Sequence, residues 1–162
     1  VVGCETARWL ANEYGKNVTV LEMLPHFMMG VCTANRGHLL HYLEKSGVRL
    51  YNCTKVKALA KDGVYVEQNQ SQTVPDPYNT WQPLLPPNIP NPMEKAIKEE
   101  IVEKKIPADL IVLAMGGKAD ETFFFEAGEE HLAKEIYNIG DSSRAGRVLE
   151  AVRGAYHLAV RI

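Results

Sequence analysis

The stretch VVGCETARWLANEYGKNVTVLE, Val1 to Glu22, decides the fold. From Glu5 to Tyr14, the residues Ala7, Leu10, Ala11 and Tyr14 fall at helical spacing, and Gly15 ends the run as a helix C-terminal glycine does. Val18-Thr19-Val20-Leu21 follows as a β-branched, nearly continuous apolar run, the pattern of a strand buried on both faces of a parallel sheet. Glu22 stands at its end. The first two residues before Gly3 read as if entered within a longer pattern, so the chain is expected to be part of a longer one.

Outward from this stretch the alternation continues. Arg36 to Lys45 places Leu39, Leu40 and Leu43 on one side of a second predicted helix, closed by Gly47, and Val48 to Tyr51 is a short strand. Val56–Leu59 and Val64–Val66 are expected to pair as antiparallel strands about Asp62-Gly63. Gln68 to Pro92 holds seven of the nine prolines, with Tyr78 and Trp81 among Asn and Gln, and predicts a long surface excursion that packs against its own core, the alternative being that Tyr78 and Trp81 stack on a partner domain. Met93 to Lys105 is dense in Glu and Lys at four-residue spacing, which predicts an exposed helix or helical turn. Asp109 to Ala114 is expected to be a buried strand ending at Gly116-Gly117, and Ile136 to Ile139 a further short strand. A closing helix follows, with Val148, Ala151, Val152, Ala155 and Ala159 on one side. Strands alternating with helices define an α/β chain.

Composition bounds the function. A formal charge of −2 gives no basic footprint for nucleic acid or an anionic membrane surface. No apolar run approaches the roughly 18 residues of a spanning helix. Cys4, Cys32 and Cys53 are odd in number and lack CxxC spacing, which argues against a disulfide framework, a zinc site or a local redox pair and favours a reducing cytoplasm. His38 and His41, three apart on a predicted helix, read as a hydrated face rather than a metal edge.

Two constellations carry chemistry. Gly3 and Glu22 are 19 residues apart, with helix and then strand between them. In a dinucleotide-binding βαβ unit, the third glycine of GxGxxG lets the helix pack close to the first strand. Pyrophosphate then sits at the helix N-terminus, and an acid about 20 residues on receives the adenosine ribose hydroxyls. A helix-packing glycine and an unrelated strand-end Glu would give the same spacing. The second constellation is Ile136-Tyr137-Asn138-Ile139-Gly140-Asp141, then Gly146 and an apolar helix. A carboxylate placed there can bind a polyhydroxyl chain, although a Gly-Asp turn can equally be a turn alone.

Together these pieces resemble a known family. VGCETARWLA with GKNVTVLEM resembles the NAD(P)H domain of the pyridine nucleotide–disulfide reductase superfamily. ADLIVLAMGG resembles the junction where that domain returns to the FAD domain, and NIGDSSRAGRVLEAVRGAYHLA resembles the C-terminal flavin motif. The wording is most similar to the C-terminal half of the NADH:flavin oxidoreductases that include 2-enoate and 2,4-dienoyl-CoA reductases. The resemblance implies a Rossmann-like three-layer nucleotide-binding domain at 1–115, with a parallel sheet, a small antiparallel β-meander and a proline-rich insertion at about 68–107. The C-terminal segment of an FAD domain would follow at 116–162.

The resemblance also assigns roles. Gly3 matches the last fingerprint glycine, Glu5 an acid near the nicotinamide, and Glu22 the ribose-binding acid. Gly116 matches the cofactor-proximal turn, and Gly140-Asp141 the aspartate turn that meets the flavin's ribityl or pyrophosphate region. It implies NADH and FAD as cofactors, with FMN, a 4Fe-4S cluster and a carbon–carbon reduction site on an N-terminal barrel outside this chain. A non-catalytic nucleotide-binding docking or sensor module and a disulfide reductase remain alternatives. Two fingerprint glycines and most of the FAD domain lie outside the chain, so the segment alone is expected to be inactive and to bind nucleotide weakly.

Overall fold

The computed structural model describes residues 1–81, 83, 85 and 88–162. Gln82, Leu84, Pro86 and Pro87 of the proline-rich excursion lie outside the described residues. The chain divides into two units, Val1–Ala114 and Met115–Ile162.

In the first unit, helix α1 runs Val2–Tyr14 and ends on Gly15, which takes the left-handed conformation (φ 58°) that ends helices at little cost. Strand β1, Thr19–Leu21, pairs in parallel with β2, Arg49–Tyr51, and helix α2, Thr33–Lys45, connects them. That is the βαβ arrangement. Its core gathers Cys4 and Ala7 of α1, Leu40 and Leu43 of α2, Val48, Leu50, and Phe27 and Met28 from the β1–α2 connection. The chain then forms an antiparallel sheet of β3 (Thr54–Ala60), β4 (Gly63–Asn69) and β5 (Ile101–Pro107), in the order β3-β4-β5. The fold is therefore mixed α/β, with a parallel sheet and a small antiparallel one, as expected.

Three expectations need correction. Met93 to Lys105 is not helical: 93–100 is irregular and 101–107 is the third strand of the meander, paired with β4 from Gly63↔Pro107 to Asn69↔Ile101. Pairs such as Glu94 with Lys98 offer a helix only ~0.2–0.5 kcal/mol each. The β-branched Ile101, Val102 and Ile106 gain more along a full neighbouring strand. Strand β4 thus runs to Asn69 and β5 takes up 101–107, so the 68–107 stretch includes strand at both of its ends.

Asp109–Ala114 joins no ladder, and Leu110 and Leu113 are 71% and 66% exposed, so it is not a buried strand. Ile136–Ile139 likewise forms no strand. A strand's backbone groups need a neighbouring chain, and no strand among the described residues pairs with either segment.

The second unit consists of α3 (Thr122–Glu129), a 3₁₀ turn at Gly140–Ser142 and α4 (Val148–Ala159). Helix α3 was not expected: the consecutive Phe123, Phe124 and Phe125 give no helical period. On α4 the half-buried positions are Ala151, Gly154, Ala155 and Leu158, while Val148, Val152 and Ala159 of the expected apolar side are exposed.

Candidate functional site: the start of the first helix and the end of the first strand

The candidate site starts at the N-terminus of α1. The first helical hydrogen bonds are those of the Cys4 and Glu5 N–H groups to the Val1 carbonyl, at 2.9 and 3.0 Å. The N–H groups of Val2 and Gly3 therefore have no acceptor within the helix, as at any helix start, and no side chain caps them. Unpaired N–H groups with the positive end of the helix dipole favour an anion such as pyrophosphate.

Gly3 is closely packed. A Cβ placed on it would lie 2.9 Å from the Ala114 Cβ, closer than side chains approach. This is the contact that a helix-packing glycine must permit, and it brings the end of the 109–114 segment against α1.

Glu22 immediately follows β1. Its N–H donates to the Tyr51 carbonyl and its own carbonyl accepts from the Thr54 N–H, both at 2.9 Å, so the backbone there is held from two sides. The carboxylate is half-buried, and Oε1 accepts the Leu24 N–H at 2.9 Å, which orients it. The buried Cys4 thiol is pushed up first by burial; the N-terminal ammonium opposes this, and Glu22 and Glu5 add to it in smaller measure. Both carboxylates are thus within electrostatic reach of the second residue after the α1 start. Glu5 itself is exposed and lines a shallow depression with Arg8, Trp9, Asn12 and Glu13.

Gly3, Glu5 and Glu22 are therefore together in the first unit. Gly116, Gly140 and Asp141 fall in the second unit. Gly116 (φ 84°) and Gly140 (φ 68°) adopt backbone that disfavours other residues. Asp141 is exposed, and its Oδ1 accepts the Gly146 N–H at 3.2 Å, closing the loop before α4. Helix α4 begins two residues beyond Gly146. Glu150 Oε2 accepts the Arg147 N–H at 3.0 Å, and the Arg147 guanidinium pairs with the same carboxylate. That pairing holds the Glu150 carboxyl down at about 2.

The residues fit the groups implied for them in unequal degree. The Gly3 packing and the unpaired N–H groups suit a dinucleotide's pyrophosphate, and the oriented Glu22 carboxylate suits ribose hydroxyls. Asp141 offers Oδ2, which makes no hydrogen bond among the described residues. No cluster of His, Cys, Asp and Glu among the described residues could hold a metal ion. No helix among them is long and apolar enough to cross a membrane.

Sequence reasoning missed Arg36 and Asn52, both buried and both bonded to loop carbonyls beside this site. Such bonds run from side chain to backbone and leave no periodic signal.

Comparison with known proteins agrees with the fold. A solved 2-naphthoyl-CoA reductase in complex with 2-naphthoyl-CoA superposes with a TM-score of 0.69 at 24% identity, covering 99% of this chain and 20% of that one. The 6-hydroxypseudooxynicotine amine oxidase of Pseudomonas geniculata N1 gives 0.67 at 15% identity, covering 98% and 20%. The chain thus spans about a fifth of the length of these solved structures. No curated protein sequence matches significantly. Residues 1–149 match the family described as pyridine nucleotide-disulphide oxidoreductase, and with the βαβ unit, the packed Gly3 and the strand-end Glu22 in place, the chain belongs to that family.

Proposed function

We propose that the chain is the nucleotide-binding part of a flavin-dependent oxidoreductase. In this reading residues 1–115 bind NADH and residues 116–162 are the C-terminal segment of an FAD-binding domain. The observation that carries it is the joint placement of the α1 N-terminus, the Gly3–Ala114 contact and the oriented Glu22 carboxylate in one βαβ unit. When bound, the nicotinamide supplies a hydride and the flavin accepts it. The chain's own residues bind and orient: the Val2 and Gly3 N–H groups meet phosphate, Glu22 receives ribose hydroxyls, and Glu5 stands toward the nicotinamide end. Gly116 forms the cofactor-proximal turn, and Gly140-Asp141 meets the flavin's ribityl or pyrophosphate region.

The finer reading is an enoate- or dienoyl-CoA-reductase-like enzyme. There, an iron–sulfur cluster and FMN on a barrel domain outside this chain carry electrons to an activated C=C bond. The likeness to a reductase solved with an aryl-CoA thioester supports this direction. The visible spectrum of the intact protein tests the reading. FAD with FMN and a cluster is expected; FAD alone favours a disulfide-reductase type, and no chromophore favours a docking module. In the same protein Asp141→Ala should lower FAD content with the fold intact. Unchanged FAD stoichiometry would return Asp141 to the role of a plain turn residue.

A further inference from the structure

The connection from Met23 to Cys32, directly behind Glu22, is irregular, yet it is tightly held. Phe27 and Met28 are buried in the core, and Met28 takes a left-handed backbone (φ 55°). A non-glycine residue persists there only where its surroundings over-determine it. Two buried side chains bond to carbonyls of this connection, and both also hold the excursion between β4 and β5. Asn52 Nδ2 donates to the Pro25 carbonyl at 2.7 Å and to the Pro75 carbonyl at 2.8 Å. Arg36 Nε donates to the Phe27 carbonyl at 2.9 Å and Nη1 to the Asn79 carbonyl at 3.2 Å.

Arg36 is 3% exposed, and no carboxylate pairs with its guanidinium among the described residues. A buried charge is costly unless carbonyl acceptors surround it, and here they come from two different segments. The excursion is anchored at a further point. The Tyr78 hydroxyl donates to the Val48 carbonyl at 2.7 Å and accepts the Leu50 N–H at 3.1 Å, closing the side of β2 turned away from β1. The connection in turn fixes the carboxylate, because Leu24 donates its N–H to Glu22 Oε1 and accepts the Cys53 N–H on its own carbonyl.

We propose that Arg36 and Asn52 are positioning residues for coenzyme binding, clamping the connection behind Glu22 to the 71–81 strap so that the Glu22 carboxylate is held ready for the ribose. This rests on the assignment of Glu22 to the coenzyme made above. The strap then acts on the coenzyme through Glu22.

The test titrates NADH into the intact enzyme and its Glu22→Gln, Asn52→Leu and doubly substituted forms, each checked for native circular dichroism. Glu22→Gln should weaken NADH about tenfold, the scale of a lost hydrogen bond to a charged group. Asn52→Leu should weaken it several-fold, and the double variant should bind no more weakly than Glu22→Gln, because both changes act through one carboxylate. If Glu22→Gln leaves NADH binding unchanged, the ribose assignment fails and the clamp with it. If Glu22→Gln weakens binding but Asn52→Leu does not, or the two effects add, the clamp alone is overturned. Should Asn52→Leu not fold, hydrogen exchange of the unaltered protein decides. The amides of 23–30 and 74–79 should open as one unit with a common urea dependence, and separate opening overturns the clamp.

Discussion

In the first unit Phe27, Leu40, Leu43, Val48 and Val66 are almost sealed from solvent, whereas in the second only Ala127 is buried. Apolar residues are not scarce in the second unit: Phe123, Phe125, Leu132, Val148, Val152 and Tyr156 are all largely exposed. The difference lies in what each element needs. Helices α3 and α4 satisfy their backbone groups internally and form although α3 buries only Ala127 and α4 no residue. Strands must find a neighbour, so β1 and β2 form where they meet, while 109–114 and 136–139 pair with no strand among the described residues. Local hydrogen bonding forms within one segment; a strand needs a partner.

Substitution at matched sites should break or sharpen this contrast. Leu40→Ala, at a position with no exposure, should cost about 2–5 kcal/mol in urea unfolding followed by circular dichroism. Val152→Ala on α4, 59% exposed, should stay within about 0.5 kcal/mol. Equal losses at the two positions would mean that the second unit has a core of its own.

A smaller effect belongs to the Gly3 contact. Gly3→Ala should cost about 1–3 kcal/mol by overpacking, because its Cβ would meet Ala114 at 2.9 Å. Thermal unfolding should show recovery on adding Ala114→Gly. Without that recovery, the contact is not what constrains the position.

The smallest effect is in pH. Burial, then Arg36, lower the His26 pKa from 6.5, with Glu94 opposing. A depressed histidine is protonated more readily in the unfolded chain. Its contribution is therefore complete above about pH 6.5 and fades as pH falls from there toward the lowered folded value. His26→Gln should flatten that part of the stability profile. An unchanged slope below pH 6.5 would show that other groups set it.

Much of the first unit was legible because its signals are local and agree with one another. Gly15 and Gly47 follow helices, the β-branched run Val18-Thr19-Val20 comes after the first of them, and Glu22 lies at the expected distance from Gly3. The strand at 101–107 was hidden because Glu103, Lys104 and Lys105 look like a charged helix face until β4 supplies a partner. Conversely, 109–114 reads as strand by composition alone, which cannot report whether a neighbour is present. Tyr78, Arg36 and Asn52 were invisible as site-forming residues for a different reason. Their bonds go to backbone carbonyls and amides far away in sequence, and nothing in residue type announces them.

The central claim is that Glu22 receives the coenzyme ribose at the end of β1. Its most direct test is the ratio of kcat/KM for NADH over NADPH in the intact enzyme and in its Glu22→Arg variant. A carboxylate there repels a 2′-phosphate, so the enzyme should prefer NADH. Glu22→Arg should move the ratio toward NADPH by about tenfold or more, equivalent to ~1.4 kcal/mol. A native preference for NADPH, or a ratio that Glu22→Arg leaves unmoved, would contradict the account.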